Sequence, residues 1–114
     1  MLKCIIIVTY ESELNQLRHL VKNVQMAGFL PILADNSEKN PLKKELFFGE
    51  IQMIDMQGNA GIAAAQNAGI TLAKKLGAEI IGFFDQDSQA DAELIQKLSN
   101  YTDLYEDCVI APVA

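Results

Sequence analysis

Apolar residues follow two rhythms in this chain. Leu2 to Thr9 is almost continuously apolar and rich in β-branched side chains, as expected of a strand buried on both faces of a parallel sheet. The period then changes. Leu14, Leu17, Val21 and Val24 repeat at helical spacing, in a run that Glu11 or Ser12 opens and Gly28 closes. His19, the only histidine, falls on the opposite side of that stripe and is expected in solvent. FLPILAD reads as a second strand, with Pro31 near its start, where a missing amide is tolerable, and Asp35-Asn36-Ser37 at its end. Asn40 and Pro41 predict the cap and first turn of a short helix through Leu46. EIQMID gives a third strand and Met56 to Asn59 a glycine-containing loop. From Asn59 to Leu76 the positions Ile62, Ala65, Gly69, Leu72 and Leu76 line one face of a long helix, with Gly77 as its stop. AEIIGFF is a fourth strand, Ser88 to Tyr105 predicts another helix, and CVIAPV a fifth strand.

Strand alternating with helix predicts an α/β fold: a Rossmann-like, doubly wound, mostly parallel sheet with right-handed crossovers and helices on both faces. With 114 residues the chain is expected to form one domain, 1–114. The last strand has nothing left to cover it, so the expectation is the front part of a larger domain, cut near Ala114.

Composition narrows the function. Half of the residues are apolar and 21% charged, as in a soluble globular protein. A formal net charge of −6 disfavours a nucleic-acid binder, and a phosphorylated ligand would call for a cation as mediator. CIIIV is too short for a signal-peptide core or a membrane span, so the expected location is the cytoplasm, including the inner face of the cell membrane, with membrane association only through missing parts or partners. Cys4 and Cys108 stand far apart without metal-ligand spacing and are expected to be buried free thiols.

Ligands of open parallel sheets sit outside the carboxyl ends of the strands. Those ends carry Thr9-Tyr10-Glu11, Asp35-Asn36, the loop to Asn59 and Gly61, and Asp85-Gln86-Asp87. A strand order 3-2-1-4 would set Tyr10 and Glu11 beside the paired aspartates. Two aspartates spaced i and i+2 in extended backbone project to one side and can share Mg²⁺ or Mn²⁺, whose other positions suit water and diphosphate oxygens. The plainer alternative is that Asp85 ends a strand while Asp87 or Ser88 caps the next helix, with Asp91 in its first turn. In NAGIAAAQNAGI, Asn59, Ala63 and Asn67 fall four residues apart on one face, and small residues leave room for a ligand at the helix start, whose amides favour an anionic group. Alternatively, the alanines serve helix propensity and the glycines close packing.

IIIVTY, ADNS, NAGIAAAQNAGI and GFFDQDS, in this order and spacing over positions 2 to 113, resemble the nucleotide-binding half of family 2 glycosyltransferases with the GT-A fold. DQDS with AAQN looks most like the rhamnosyltransferase branch. The resemblance implies a nucleotide sugar, dTDP-rhamnose or a UDP-sugar, as donor and a glycan or lipid-linked acceptor. It implies that Thr9 and Tyr10 border the base and ribose, that Asp35 bonds the pyrimidine, and that Asn36 supports its loop. Asn59, Gly61 and Asn67 would lie near the nucleotide, Asp85 would meet the ribose or share the metal site through its bound waters, and Asp87, across Gln86 from it, would be the metal ligand to the diphosphate. Glu11 stands where many members have Asn and Gln66 where many have Arg, so both belong to the implied donor site as departures.

The reaction implied is a metal-assisted inverting displacement, with a carboxylate base expected beyond Ala114, so the 114-residue chain is expected to be the donor-binding part and inactive alone. The alternatives are a Mg²⁺-binding receiver-type signalling domain and a non-catalytic nucleotide-binding module.

Overall fold

The computed structural model describes residues 1–89, 91–98, 104–105 and 108–112. The elements in chain order are β1 (Lys3–Thr9), α1 (Leu14–Met26), β2 (Leu30–Asp35), β3 (Gln52–Asp55), α2 (Ile62–Leu76), β4 (Ile80–Asp85), α3 (Ala92–Leu98), β5 (Leu104–Tyr105) and β6 (Cys108–Pro112). One sheet runs in the order β3-β2-β1-β4-β6-β5. Its first four strands are parallel, and β6 runs antiparallel to β4 and to β5. The expected 3-2-1-4 order is therefore present. A receiver-type sheet places β1 between β2 and β3. Here β1 lies between β2 and β4, which removes that alternative.

β1 is buried on both faces because its neighbours are strands and both of its faces carry helices. Ile5 and Ile7 join Leu17, Leu20, Val21 and Val24 of α1 and Ile95 of α3 in one cluster. Cys4 and Ile6 face the other way, with Ile32, Ile81 and Ala73 of α2. The period of two along the strand and the helical period of α1 thus build one half of the core, as the sequence pattern predicts.

On the α2 side the helix lies close to the sheet. Ala65, Gly69 and Ala73 are its buried residues, and a Cβ on Gly69 would fall 2.7 Å from Ile6 Cγ2. Only small residues fit at this approach. Ile62 and Leu76, expected on the buried face, are instead 67% and 41% exposed.

Four predicted boundaries shift, each for a local reason. α1 is capped by Glu13, whose carboxylate accepts from Asn15 N and Gln16 N, because Glu11 and Ser12 are bonded elsewhere. The helix expected from Asn40 shrinks to a 3-10 turn at Lys44–Leu46. Its expected cap is engaged elsewhere: Asn40 donates to Glu11, and Leu42 N donates to Asp35. α2 starts at Ile62, since Asn59 Oδ1 accepts from Gly61 N and Gly61 has φ +92°, so Asn59 does not share a helical face with Ala63 and Asn67. Of the helix expected over Ser88 to Tyr105, the described residues contain α3, capped by Asp91, whose Oδ1 accepts from Leu94 N, while residues 90 and 99–103 lie outside the described residues. Leu104 and Tyr105 pair with Val109 and Cys108 as strand, so sheet pairing outweighs the helical period there.

Cys4 is buried and free, and burial pushes its thiol pKa up. The side chain of Cys108 lies outside the described residues. Among the described residues no helix is long and apolar enough to cross a membrane.

Candidate active site at the carboxyl edge of the sheet

The parallel strands end level with one another, which lines up their terminal acids. Thr9 pairs with Asp35, Asp35 with Asp55, and Val8 with Asp85. Three aspartates therefore stand at the tips of β2, β3 and β4, yet they have different work.

Asp35 is 2% exposed and holds its own surroundings together. Its Oδ1 accepts from Thr9 Oγ1 at 2.8 Å, Ser37 Oγ at 2.7 Å and Ser37 N at 3.2 Å, and its Oδ2 from Leu42 N at 2.8 Å. A buried carboxylate with this many donors is stabilised in place. Asn36 continues the lock: its amide nitrogen donates to Gly61 O and its amide oxygen accepts from Ala60 N, which ties the β2 tip to the start of α2. Asp55 Oδ1 accepts from Gln57 N, turning the chain just past β3.

Gln86 extends the β1 and β4 pairing beyond the strand ends. Its Oε1 accepts from Tyr10 N at 2.8 Å and from Ser12 Oγ at 2.5 Å, while its Nε2 donates to Tyr10 O at 3.2 Å. Glu11, between these two residues, turns the other way. Its carboxylate accepts from Glu38 N, Lys39 N, Asn40 N and Asn40 Nδ2. Those bonds, the Lys39 amide foremost, hold its carboxyl below the usual range. The Tyr10 hydroxyl donates to Glu38 Oε1 at 2.9 Å, and this bond to a carboxylate raises the phenol pKa.

Asp85 and Asp87 are exposed, and neither carboxylate accepts a hydrogen bond or joins an ion pair among the described residues. Asp85 is the last residue of β4. Asp87 lies in a turn closed by Ser88 N donating to Asp85 O at 3.0 Å. The pair is thus not carried on extended backbone, as the i, i+2 argument supposed. Asp87 and Ser88 are also not the helix cap, a job that Asp91 performs.

Beside these tips Ser37, Glu38, Pro41, Asp55, Gln57 and Gly58 line an open cavity of about 380 Å³. A larger hollow of about 670 Å³ lies between α1 and Phe47 to Gly49, away from every strand tip. The start of α2 is a second polar feature of the edge. It has no side-chain cap and no acid in its first turn, and Ile62, Ala63 and Ala64 are exposed there.

Residues 4–114 match the family described as Glycosyl transferase family 2. The chain belongs to glycosyl transferase family 2. Over 109 residues it is 38% identical to the dTDP-rhamnosyl transferase RfbF of Shigella flexneri, an overlap that takes in 95% of this chain and 37% of that protein. The chain thus spans little more than a third of the length of that relative. The α/β sheet, with four parallel strands in the order β3-β2-β1-β4, is consistent with the N-terminal half of a GT-A glycosyltransferase domain.

For this family 2 chain, the bonds above join Thr9, Tyr10, Glu11, Asp35, Asn36, Gly61 and Gln86 along one edge, and Asp85 and Asp87 flank Gln86 there with carboxylates unbonded among the described residues. Asn59 stands in the loop just before α2, and Gln66 and Asn67 follow one turn into the helix, Asn67 exposed and Gln66 half-buried. The sequence does not single out Ser37, Glu38, Asp55 and Gln57, which line the cavity at this edge, although Asp55 ends its strand in an aspartate just as Asp35 does. Register, which a sequence does not display, is what sets Asp55 beside Asp35.

Proposed function

We propose that this edge binds the donor of a glycosyl transfer, a nucleoside diphosphate sugar of the dTDP-rhamnose kind, whose sugar passes to a hydroxyl of a glycan or lipid-linked acceptor. The observation that carries the reading is the contrast among the tip acids. Asp35 and Asp55 are engaged by their own chain, whereas Asp85 and Asp87 are exposed and unbonded among the described residues, on a turn that Gln86 fastens. An acidic chain gains nothing in stability from two such neighbours, so a ligand-directed role accounts for them better. The name of the relative supports the choice of donor.

The described residues contain no group of three or more metal-ligating side chains. Two free carboxylates nevertheless fit Mg²⁺ or Mn²⁺, since such ions take one or two carboxylates and draw their other ligands from water and phosphate. Asp85 and Asp87 would hold the ion, which would offset the charge that develops on the departing diphosphate. Tyr10, 44% exposed, offers its ring to the base or ribose. The uncapped amides at the start of α2 favour an anionic group, and Asn59, Gln66 and Asn67 supply neutral donors and acceptors near it. Thr9, Asp35 and Asn36 serve by shaping the edge. In an inverting displacement the acceptor oxygen bonds to the anomeric carbon as the bond to the diphosphate breaks, and the acceptor proton goes to a base. We assign that base to a segment of the whole enzyme outside residues 1–114, so this chain acts as the donor-binding part.

Calorimetric titration with dTDP, UDP and GDP, with and without Mn²⁺, tests the reading. Mn²⁺-dependent binding of one of them, lost in Asp87→Ala, is the expected result. Nucleotide binding that neither Mn²⁺ nor Asp87→Ala alters would overturn it.

A further inference from the structure

The segment Tyr10 to Ser12 bridges the two halves of the site, its ends fastened to one half and its middle residue to the other. Tyr10 and Ser12 bond to Gln86 in the β4 turn. Glu11 bonds instead to the segment after β2: its backbone N donates to Ser37 Oγ at 2.8 Å, and its carboxylate accepts from Glu38 N at 2.7 Å, Lys39 N at 2.8 Å, and Asn40 N and Nδ2 at 3.1 Å each. The reversal of direction requires Glu11 to adopt φ +42°, a left-handed conformation that a residue with a Cβ avoids unless its surroundings hold it there. Consecutive backbone N–H groups that converge in this way form a concavity suited to an anion, and the occupant here is the chain's own carboxylate.

Two residues fixed by this clasp, Ser37 and Glu38, are walls of the cavity of about 380 Å³ at the tips of β2 and β3. A carboxylate is required for the full set of bonds. Each oxygen of Glu11 accepts from two donors, whereas an amide offers one oxygen and would turn its own N–H groups toward two of the loop's donors.

We propose that Glu11 is a positioning residue for the nucleoside end of the donor: through the 38–40 clasp it fixes the wall formed by Ser37 and Glu38, without itself touching the ligand. This rests on the donor-binding reading above, and its effect falls on nucleoside affinity while leaving the carboxylates of Asp85 and Asp87 free to bind an ion.

The test compares wild type, Glu11→Gln and Glu11→Ala in two titrations: Mn²⁺ alone, followed by water-proton relaxation, and dTDP or UDP at saturating Mn²⁺, followed by calorimetry. Both variants should raise the nucleotide Kd by about tenfold or more and leave the Mn²⁺ Kd unchanged. Circular dichroism of each variant must match wild type; a variant that is misfolded by this measure identifies Glu11 as a fold residue and overturns the positioning role. If wild type binds neither nucleotide, the donor reading fails and this inference with it. If wild type binds and both variants bind equally well, only the inference about Glu11 fails. Equal weakening of Mn²⁺ and nucleotide also overturns it, because the clasp would then act on the whole edge.

Discussion

Thr9 and Asp35 lock the tips of β1 and β2 together: the buried Thr9 hydroxyl donates to Asp35 Oδ1 over 2.8 Å, directly across the strand pairing. The same oxygen takes both donors of Ser37, and the other oxygen takes Leu42 N. Asp35→Ala therefore leaves several buried donors without an acceptor. The expected cost is about 2–4 kcal/mol, since an orphaned buried polar group loses its full hydration. Urea unfolding without any ligand measures it. A midpoint equal to that of wild type would mean that Asp35 serves the ligand alone and not the fold.

Gly69 marks the closest approach of α2 to the sheet. A methyl group there would meet the Cγ2 of Ile6, a β-branched side chain 1% exposed and held from both sides. Gly69→Ala gains up to about 1 kcal/mol in helix propensity. It loses about 2–3 kcal/mol by overpacking, so a net destabilisation is expected. Chemical denaturation decides the sign. The paired change Gly69→Ala with Ile6→Val, which trims the opposing side chain, should recover part of the loss.

The pattern of apolar residues is enough to place β1 to β4 and α1, because each buries a face whose period matches its geometry. What escapes the pattern is local hydrogen bonding between segments far apart in sequence. Asn40 has the composition of a cap, yet it is claimed by Glu11, and Asn59 is claimed by Gly61. Leu104 and Tyr105 continue a helical period but pair as strand. The site is legible in outline, since an edge rich in Asp and Asn announces itself in any doubly wound chain. That Asp35 is a structural anchor and Asp85 and Asp87 are not can be read only from register and burial.

Asp85 and Asp87 provide a contrast with Asp35. Both are exposed and unbonded among the described residues, so Asp85→Asn and Asp87→Asn remove no contact that holds the fold. Each also removes one negative charge from a chain at −6. The unfolding midpoint should stay level or rise slightly, while Mn²⁺-dependent nucleotide binding falls. Chelation of the metal by EDTA should lower nucleotide affinity in wild type and make no further difference in the variants. A drop in stability in either variant would assign the pair to the fold instead.

Glu11 gives the clasp a pH dependence whose sign follows from its hydrogen bonds. The Lys39 amide and the other donors lower its pKa from the ordinary 4.5, although partial burial opposes the shift. A carboxyl whose pKa is depressed on folding contributes its stabilisation fully above the unfolded value, and loses it as pH falls through the lower folded value. The clasp is therefore intact at neutral pH and opens only in acid, at a pH where an unbonded glutamate is already protonated. Backbone amide resonances of Glu38, Lys39 and Asn40, followed by NMR from pH 7 downward, should titrate together with a midpoint below 4.5. Glu11→Gln should abolish that common step and shift the three amides upfield even at pH 7, because a neutral amide oxygen is the weaker acceptor. Independent midpoints for the three amides, or a common step that persists in Glu11→Gln, would show that some other group governs the loop.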